Sequence, residues 1–122
     1  MTDVAHEGAH TGQFLVSEAN GARSRETITL AEGQDLEAGT VLGKVTATGK
    51  YAQVAPTATD GTESAAGILF DNVDASAADS KAVAIARDAE VRGSDLVWPE
   101  GVTAEQREAA VGELLAAGIV IR

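Results

Sequence analysis

The first residues that could do chemistry are two histidines and a glutamate close to the start of the chain. His6, Glu7 and His10 show the H-E-x-x-H spacing, in which two histidines bind zinc and the glutamate acts as a base. That chemistry needs a helix, because only on a helix do residues four apart point at one metal ion. Gly8 interrupts the segment, and the chain has no third histidine. We therefore expect two exposed histidines and no zinc enzyme.

Residues 39–44, GTVLGK, approach the pattern of a phosphate-binding loop. The spacing is one residue short, and Val45 stands where a serine or threonine would bind magnesium. We expect the two glycines to serve turns instead. Because no histidine follows His10, a histidine-based proton relay in the body is excluded. Asp88 and Glu90 are expected to be surface acids. The sequence thus predicts a protein that is not an enzyme and needs no cofactor or metal.

The stretch EAGTVLGKV, residues 37–45, resembles the barrel-sandwich strands of biotinyl and lipoyl carrier domains. Such domains carry their prosthetic group on a lysine exposed at a tight hairpin. Lys50 follows a predicted turn at Thr48-Gly49, but it lacks the flanking Met or Asp-Ala of the carriers. A small hammerhead-type carrier or ligand-binding β domain is therefore kept as the alternative function.

The 122-residue chain has the size of one compact domain and a net charge of −10. Hydrophobic residues make up 44% but aromatic residues only 3%, so the core must be mostly aliphatic. An acidic surface repels phosphate groups, which makes nucleic acid and anionic membranes poor partners. There is no apolar run of about 20 residues and no signal-peptide pattern, so we expect no membrane span and no leader. The absence of cysteine permits assembly in a reducing cytosol.

Short apolar runs with a period of two, separated by many glycines, favour a mainly β fold. Order is predicted to begin near Thr27, with Thr48-Gly49 as a hairpin turn, Pro56 ending the second hairpin strand, and a surface loop over Asp74 to Ser80. The predicted strands are TITL (27–30), TVLGKV (40–45), YAQV (51–54), ILF (68–70), AVAIAR (82–87), AEVR (89–92) and IVI (119–121).

One helix is predicted near the end of the chain, which makes the fold class α+β with β predominant. Thr103 and Gln106 have the spacing of a capping box. Gly118 is suited to end the helix in a left-handed conformation. Four residues at i, i+3, i+4 and i+7 predict one apolar stripe: Val111, Leu114, Leu115 and Gly118.

Residues 1–25 are predicted to form a flexible arm, followed by a single β-rich domain over residues 26–122. The segment up to Gly21 contains one apolar cluster, Phe14-Leu15-Val16, without a sustained period. Such a segment cannot bury enough surface to offset its ordering entropy. We therefore expect it to be mobile in the free subunit.

Trp98 is the single tryptophan of the chain, and Pro99 is one of its two prolines. We expect Trp98 to cover an edge of the core and Pro99 to lead into the helix. The alternative is an interface anchor, since tryptophan is enriched at binding hot spots.

Three stretches occur in a characteristic order: ATGKYAQVAPTATDGTESAAGIL (47–69), ARDAEVRGSDLVWPEG (86–101) and LLAAGIVIR (114–122). Together they resemble the head decoration proteins of tailed bacteriophages, the lambda-like capsid-stabilising family, over roughly residues 25–122. The resemblance implies a β-clip-like subdomain joined to a mixed α/β part. It also implies a structural protein, made in the host cytoplasm, that lies on the outer surface of the virion.

The family's members form trimers at local threefold positions of an expanded head and clamp neighbouring subunits of the major capsid protein against internal DNA pressure. For this chain we expect the arm to add a strand to a sheet of the capsid protein, and two arginines at its foot to meet acidic capsid groups. The candidate capsid-binding residues are Gln13, Phe14, Leu15, Val16, Ser17, Arg23 and Arg25.

Overall fold

The computed structural model describes residues 12–122, with Gly21 and Ala22 described by their backbone only. The His6-Glu7-His10 motif lies outside this range. The prediction of a mainly β fold with one C-terminal helix is confirmed. No helix within the described residues is long and apolar enough to cross a membrane.

Within residues 12–122, ten strands, one short helix and one long helix follow one another. They are β1 (Leu15–Glu18), α1 (Gly21–Ser24), β2 (Arg25–Leu30), β3 (Gln34–Leu36), β4 (Val41–Lys44), β5 (Tyr51–Gln53), β6 (Gly67–Leu69), β7 (Val73–Ala75), β8 (Ser80–Ile85), β9 (Ala89–Val91), α2 (Ala104–Ala116) and β10 (Ile119–Ile121). A 3-10 turn spans Gly93–Asp95.

Five strands close into a small barrel in the order β2-β5-β4-β6-β8. The longest ladder joins β2 and β8, antiparallel from Arg25↔Ile85 to Leu30↔Ser80. Leu30 also pairs with Tyr51 of β5 in the parallel sense, which completes the closure. One core cluster, aliphatic except for Tyr51, belongs to the barrel: Ile28, Leu30, Leu42, Tyr51, Leu69, Ala75, Ala82 and Ala84. Closure removes the free edges that short strands would otherwise expose.

A second layer consists of a three-stranded sheet, in the order β1-β9-β10, with α2 against it. Its strands β9 and β10 are parallel, and β1 runs antiparallel to β9. A second core fills this layer and joins it to the barrel: Phe14, Val41, Val54, Ile68, Ile85, Ala89, Val91, Leu96, Leu114 and Ile119. Phe14 thus stands among residues from both layers.

The N-terminal segment before β2 differs from the prediction. Instead of beginning near Thr27, the ordered structure includes β1, which is hydrogen-bonded to β9, and α1. The prediction that order begins near Thr27 is therefore wrong, because the segment before it contains a strand paired with β9. The sequence pattern was too short to show this, because the strand's partner lies about 70 residues further along the chain.

The predicted loop over residues 74–80 is also partly wrong. Asp74 and Ala75 belong to β7, which pairs antiparallel with β3, and Ser80 opens β8. Ala75 is buried in the barrel core while Asp74 is exposed. The strand was missed because its exposed face is acidic and its buried residue is small.

The helix begins and ends as predicted. The Thr103 hydroxyl accepts from the Gln106 amide at 3.1 Å, and the Gln106 side chain accepts from the Thr103 amide at 3.0 Å. Gly118 has φ +87° just after the helix. Leu115 is not part of the buried stripe, since it is 58% exposed. The helix buries Ala110 and Leu114, four residues apart, and Leu115 lies beyond that face.

Candidate functional site

The candidate residues 13–17 lie together on β1 and on the turn that leads into it. Gly12 opens this turn with φ +64°, and its N–H donates to the Phe70 carbonyl at 2.8 Å. A Cβ at Gly12 would lie 3.0 Å from the Phe70 ring, so the backbone approaches that ring more closely than a larger residue permits. The amide of Leu15 then donates to the Gly12 carbonyl at 2.9 Å. The turn fixes the position of Phe14, its third residue.

Phe14 is 1% exposed and belongs to the core between the two layers. Its carbonyl accepts from the Arg92 amide at 2.7 Å, which holds its backbone against the end of β9. A ring this deeply buried gains about 1.5–3 kcal/mol from leaving water. Phe14 therefore anchors the segment to its own fold, and its place among the candidate capsid-binding residues stays a prediction.

β1 is an edge strand, paired on one side with β9. Leu15 lies opposite Val91 and packs partly against the core, whereas Ser17 lies opposite Glu90, with an irregularity between them. Val16 occupies that irregularity and is 46% exposed. In residues 12–122 no other strand pairs with the outer side of β1. The exposed parts of the segment are thus its outer backbone edge and the Val16 side chain.

Ser17 fastens β1 to the sheet through Glu90. Its hydroxyl donates to Glu90 Oε1 at 2.7 Å, and Arg122 Nε donates to Glu90 Oε2 at 2.9 Å. The hydrogen bond from the Ser17 hydroxyl is the main reason that the pKa of Glu90 lies below its usual range, and the hydrogen bond from the Arg122 guanidinium adds to it. A small polar network therefore runs from β1 through β9 to Arg122, the residue that follows β10.

Glu18 fastens the other end of β1 to the start of β2. Arg25 Nη2 lies 2.5 Å from Glu18 Oε1, and the Ser24 hydroxyl donates to Glu18 Oε2. The Arg25 hydrogen bond is the main reason that the pKa of Glu18 lies below its usual range, while burial opposes it. The Arg25 guanidinium also stacks over the Phe70 ring at 4.2 Å from its centroid. The Arg25 guanidinium thus contacts two groups of its own chain, the Glu18 carboxylate and the Phe70 ring.

Arg23 is also paired within the chain. Its Nε lies 3.0 Å from Asp88 Oδ2, and its carbonyl accepts from Arg87 Nη1 at 2.7 Å. Asp88 has φ +51°, and its carbonyl accepts from the Ala19 amide at 3.0 Å. The Arg23 side chain remains 70% exposed. Of the two arginines, Arg23 is therefore the more accessible to another molecule.

Glu18, Asp88 and Glu90 are functional candidates that sequence reasoning missed. Asp88 and Glu90 were predicted to be surface acids, and they are partly exposed, but together with Glu18 they hold the N-terminal segment in place. The contacts of Asp88 and Glu90 with this segment join residues more than 60 positions apart. Their roles follow from the pairing of β1 with β9, which no local pattern reveals.

Trp98 is half-buried and packs against the core of the second layer, as expected. The Arg107 guanidinium lies over its ring, 5.4 Å from the centroid. The bond to Pro99 is trans. Its role as an interface anchor stays a prediction.

The remaining motifs serve the fold. Of the two glycines in residues 39–44 that were expected to serve turns, Gly39 lies in a turn with φ +94°, but for Gly43 the expectation is wrong because it lies within β4. Lys50 Nζ lies 2.7 Å from Asp79 Oδ2, an ion pair that occupies the amine a carrier domain would have to present. Asp60 and Asp74 have a lowered pKa because each carboxylate accepts from a hydroxyl and an amide two residues ahead, which is turn chemistry. No cluster in residues 12–122 has three metal-binding side chains.

A family model described as "HDPD: Bacteriophage lambda head decoration protein D" matches residues 4–119. No curated protein matches the chain. The family match spans both layers and the whole N-terminal segment from Gly12 to Ser24.

Proposed function

The chain belongs to the family of the bacteriophage lambda head decoration protein D, and we propose that it binds the outer surface of an expanded phage head as a trimer. Three copies sit at each local threefold position and hold neighbouring subunits of the major capsid protein together against internal DNA pressure. The match over residues 4–119 is the observation that supports this proposal. The net charge of −10 also fits it, because an acidic outer shell keeps a crowded particle soluble.

The capsid contact is made by β1 without leaving its own sheet. Its outer edge accepts a strand of the capsid protein, so that the sheet β1-β9-β10 continues across the interface. Support comes from the open edge, from the exposed Val16 beside it and from Arg23 at its foot. An acidic capsid group can share Arg23 with Asp88.

A strand that is already ordered loses less conformational entropy on binding than a mobile arm does. Fixing the backbone of one residue costs about 1–2 kcal/mol, and for β1 most of that cost has been met by folding. One subunit is therefore a better ligand than a disordered peptide of the same sequence. Presentation of three edges by a trimer adds effective concentration, and it favours heads whose acceptor strands have the matching spacing.

The test is sedimentation of the purified protein with expanded and unexpanded heads. We expect binding to expanded heads, weakened at least tenfold by Val16→Gln through loss of an apolar contact next to the edge. Leu115→Gln is the matched control, because Leu115 is the other large hydrophobic residue exposed in the described part of the chain. Equal binding by the wild type and Val16→Gln would show that β1 is not part of the interface. Failure of the wild type to sediment with expanded heads would contradict the decoration function itself.

A further inference from the structure

One side of the three-stranded sheet β1-β9-β10 faces away from the core. Ala89 and Val91 of β9 belong to the same buried cluster as Leu114 of α2, so the helix lies on the core side of the sheet. Because side chains alternate along a strand, Glu90 and the following Arg92 point to the opposite side, where Glu90 is half-buried and Arg92 is exposed. This opposite side therefore carries charged groups.

Three arginine–carboxylate pairs involve β9 or the residues next to it. They are Arg23 with Asp88, Arg92 with Asp95, and Arg122 with Glu90. In each pair the arginine side chain is about twice as exposed as its acid: 70% against 36%, 54% against 24% and 63% against 30%, in the same order. The guanidinium groups therefore stand outermost. The Lys50–Asp79 pair on the barrel lacks this order, since its two side chains are about equally exposed.

The three pairs together carry no net charge, so the net charge of −10 belongs to the rest of the chain. An acidic molecule is repelled by most of this surface. At the three pairs, however, the groups that it meets first are cations.

The three guanidinium groups also retain hydrogen-bond donors. A guanidinium has five N–H donors. Within residues 12–122, the side chain of Arg23 donates only through Nε, that of Arg92 only through Nη1, and that of Arg122 through Nε and Nη2. Each can therefore keep its own acid and bind a second carboxylate, for which the planar fork of arginine is suited.

We propose that Arg23, Arg92 and Arg122 form an arginine face that binds an acidic segment of the major capsid protein, an inference that rests on the proposed decoration function. Residues 88–92, which connect the three pairs, extend over about 13 Å, a length that about four extended residues of a partner can follow. The face belongs to the same sheet as β1. A capsid strand paired with the edge of β1 can thus continue into an acidic segment across the arginine face, which makes this face a second capsid contact.

The experiment measures the affinity of the full chain for expanded heads by sedimentation at about 0.05 M and about 0.5 M salt, because salt screens exposed charges. We expect the double variant Arg92→Gln, Arg122→Gln to bind about tenfold more weakly than the wild type at the lower salt, the size of two exposed ion pairs, and to depend less on salt. The matched control is Lys44→Gln, Lys81→Gln, which changes the net charge equally but on exposed residues of the barrel strands. It should bind as the wild type does.

A second variant, Arg92→Lys, Arg122→Lys, should bind with intermediate affinity, because lysine keeps the charge but not the fork. Full affinity of the Arg92→Gln, Arg122→Gln protein, or equal weakening of that protein and the lysine control, would overturn the arginine face and leave the decoration function standing. Absence of wild-type binding at both salt concentrations would contradict the decoration function, and the arginine face with it.

Discussion

Phe14 is the residue on which the role of the N-terminal segment depends, because its ring lies in the core at 1% exposure. We predict that Phe14→Ala lowers the free energy of unfolding by about 3–5 kcal/mol, the usual cost of removing a buried phenylalanine ring. Urea denaturation of the variant measures this. Val16→Ala, at an exposed site two residues away, should stay within about 0.5 kcal/mol of the wild type. Equal stability of both variants would mean that the segment does not pack on the body.

A comparison of Gly39 with Gly33 separates the effect of backbone strain on stability from the effect of close packing. Both have a left-handed conformation, with φ +94° and +96°. A Cβ at Gly39 would lie 2.5 Å from the Asp95 carbonyl oxygen, whereas one at Gly33 would meet nothing within 4 Å. We predict that Gly33→Ala costs about 1–2 kcal/mol from the conformation, and that Gly39→Ala costs clearly more because the turn at Asp95 must move. Thermal unfolding of the two variants checks the order, and a reversed order would contradict the contact.

At the scale of elements, β1 is held by carboxylates whose pKa values are lowered in the folded state. For Glu18 and Glu90, such shifts mean that the stabilisation is present above the ordinary value of 4.5 and is lost as the pH falls through the lowered pKa. We therefore predict that protection of the β1 amides from hydrogen exchange falls below pH 4.5, before that of α2. The double variant Glu18→Gln, Glu90→Gln should lose this dependence. Parallel loss of protection in both elements would show that β1 is not held separately by these groups.

The sequence predicted those elements whose signals are local. Alternation over residues 27–30, the turn at Gly49 and the capping box at Thr103 each depend on a few neighbouring residues, and each lies where it was predicted. The closure of the barrel was not predictable in this way, since β2 pairs with β8, 50 to 60 residues further along the chain. The same holds for β1, whose apolar triplet looked isolated because Val91 and Ile119 of its core come from the far end of the chain.

Considered as a whole, the molecule has no separate arm within the described residues. Removal of residues 1–21 takes away Phe14 and all of β1. We predict that this deletion lowers the urea midpoint severely or prevents folding. A fully stable protein after this deletion would contradict the two-layer fold.

The burial of Phe14 and the pairing of β1 with β9 also decide how capsid binding must be tested. Loss of binding after removal of residues 1–21 would report unfolding as readily as loss of a contact. Substitutions at the exposed Val16 leave the core intact and report on the surface only.

The most direct test of the central claim is cryo-electron microscopy of expanded phage heads saturated with the purified protein. The family membership and the open edge of β1 predict threefold knobs on the outer surface, with β1 still beside β9 and a capsid strand along its other side. Bare heads at saturating protein would contradict the decoration function, and knobs in which β1 has left β9 would contradict binding by a strand that stays in its own sheet.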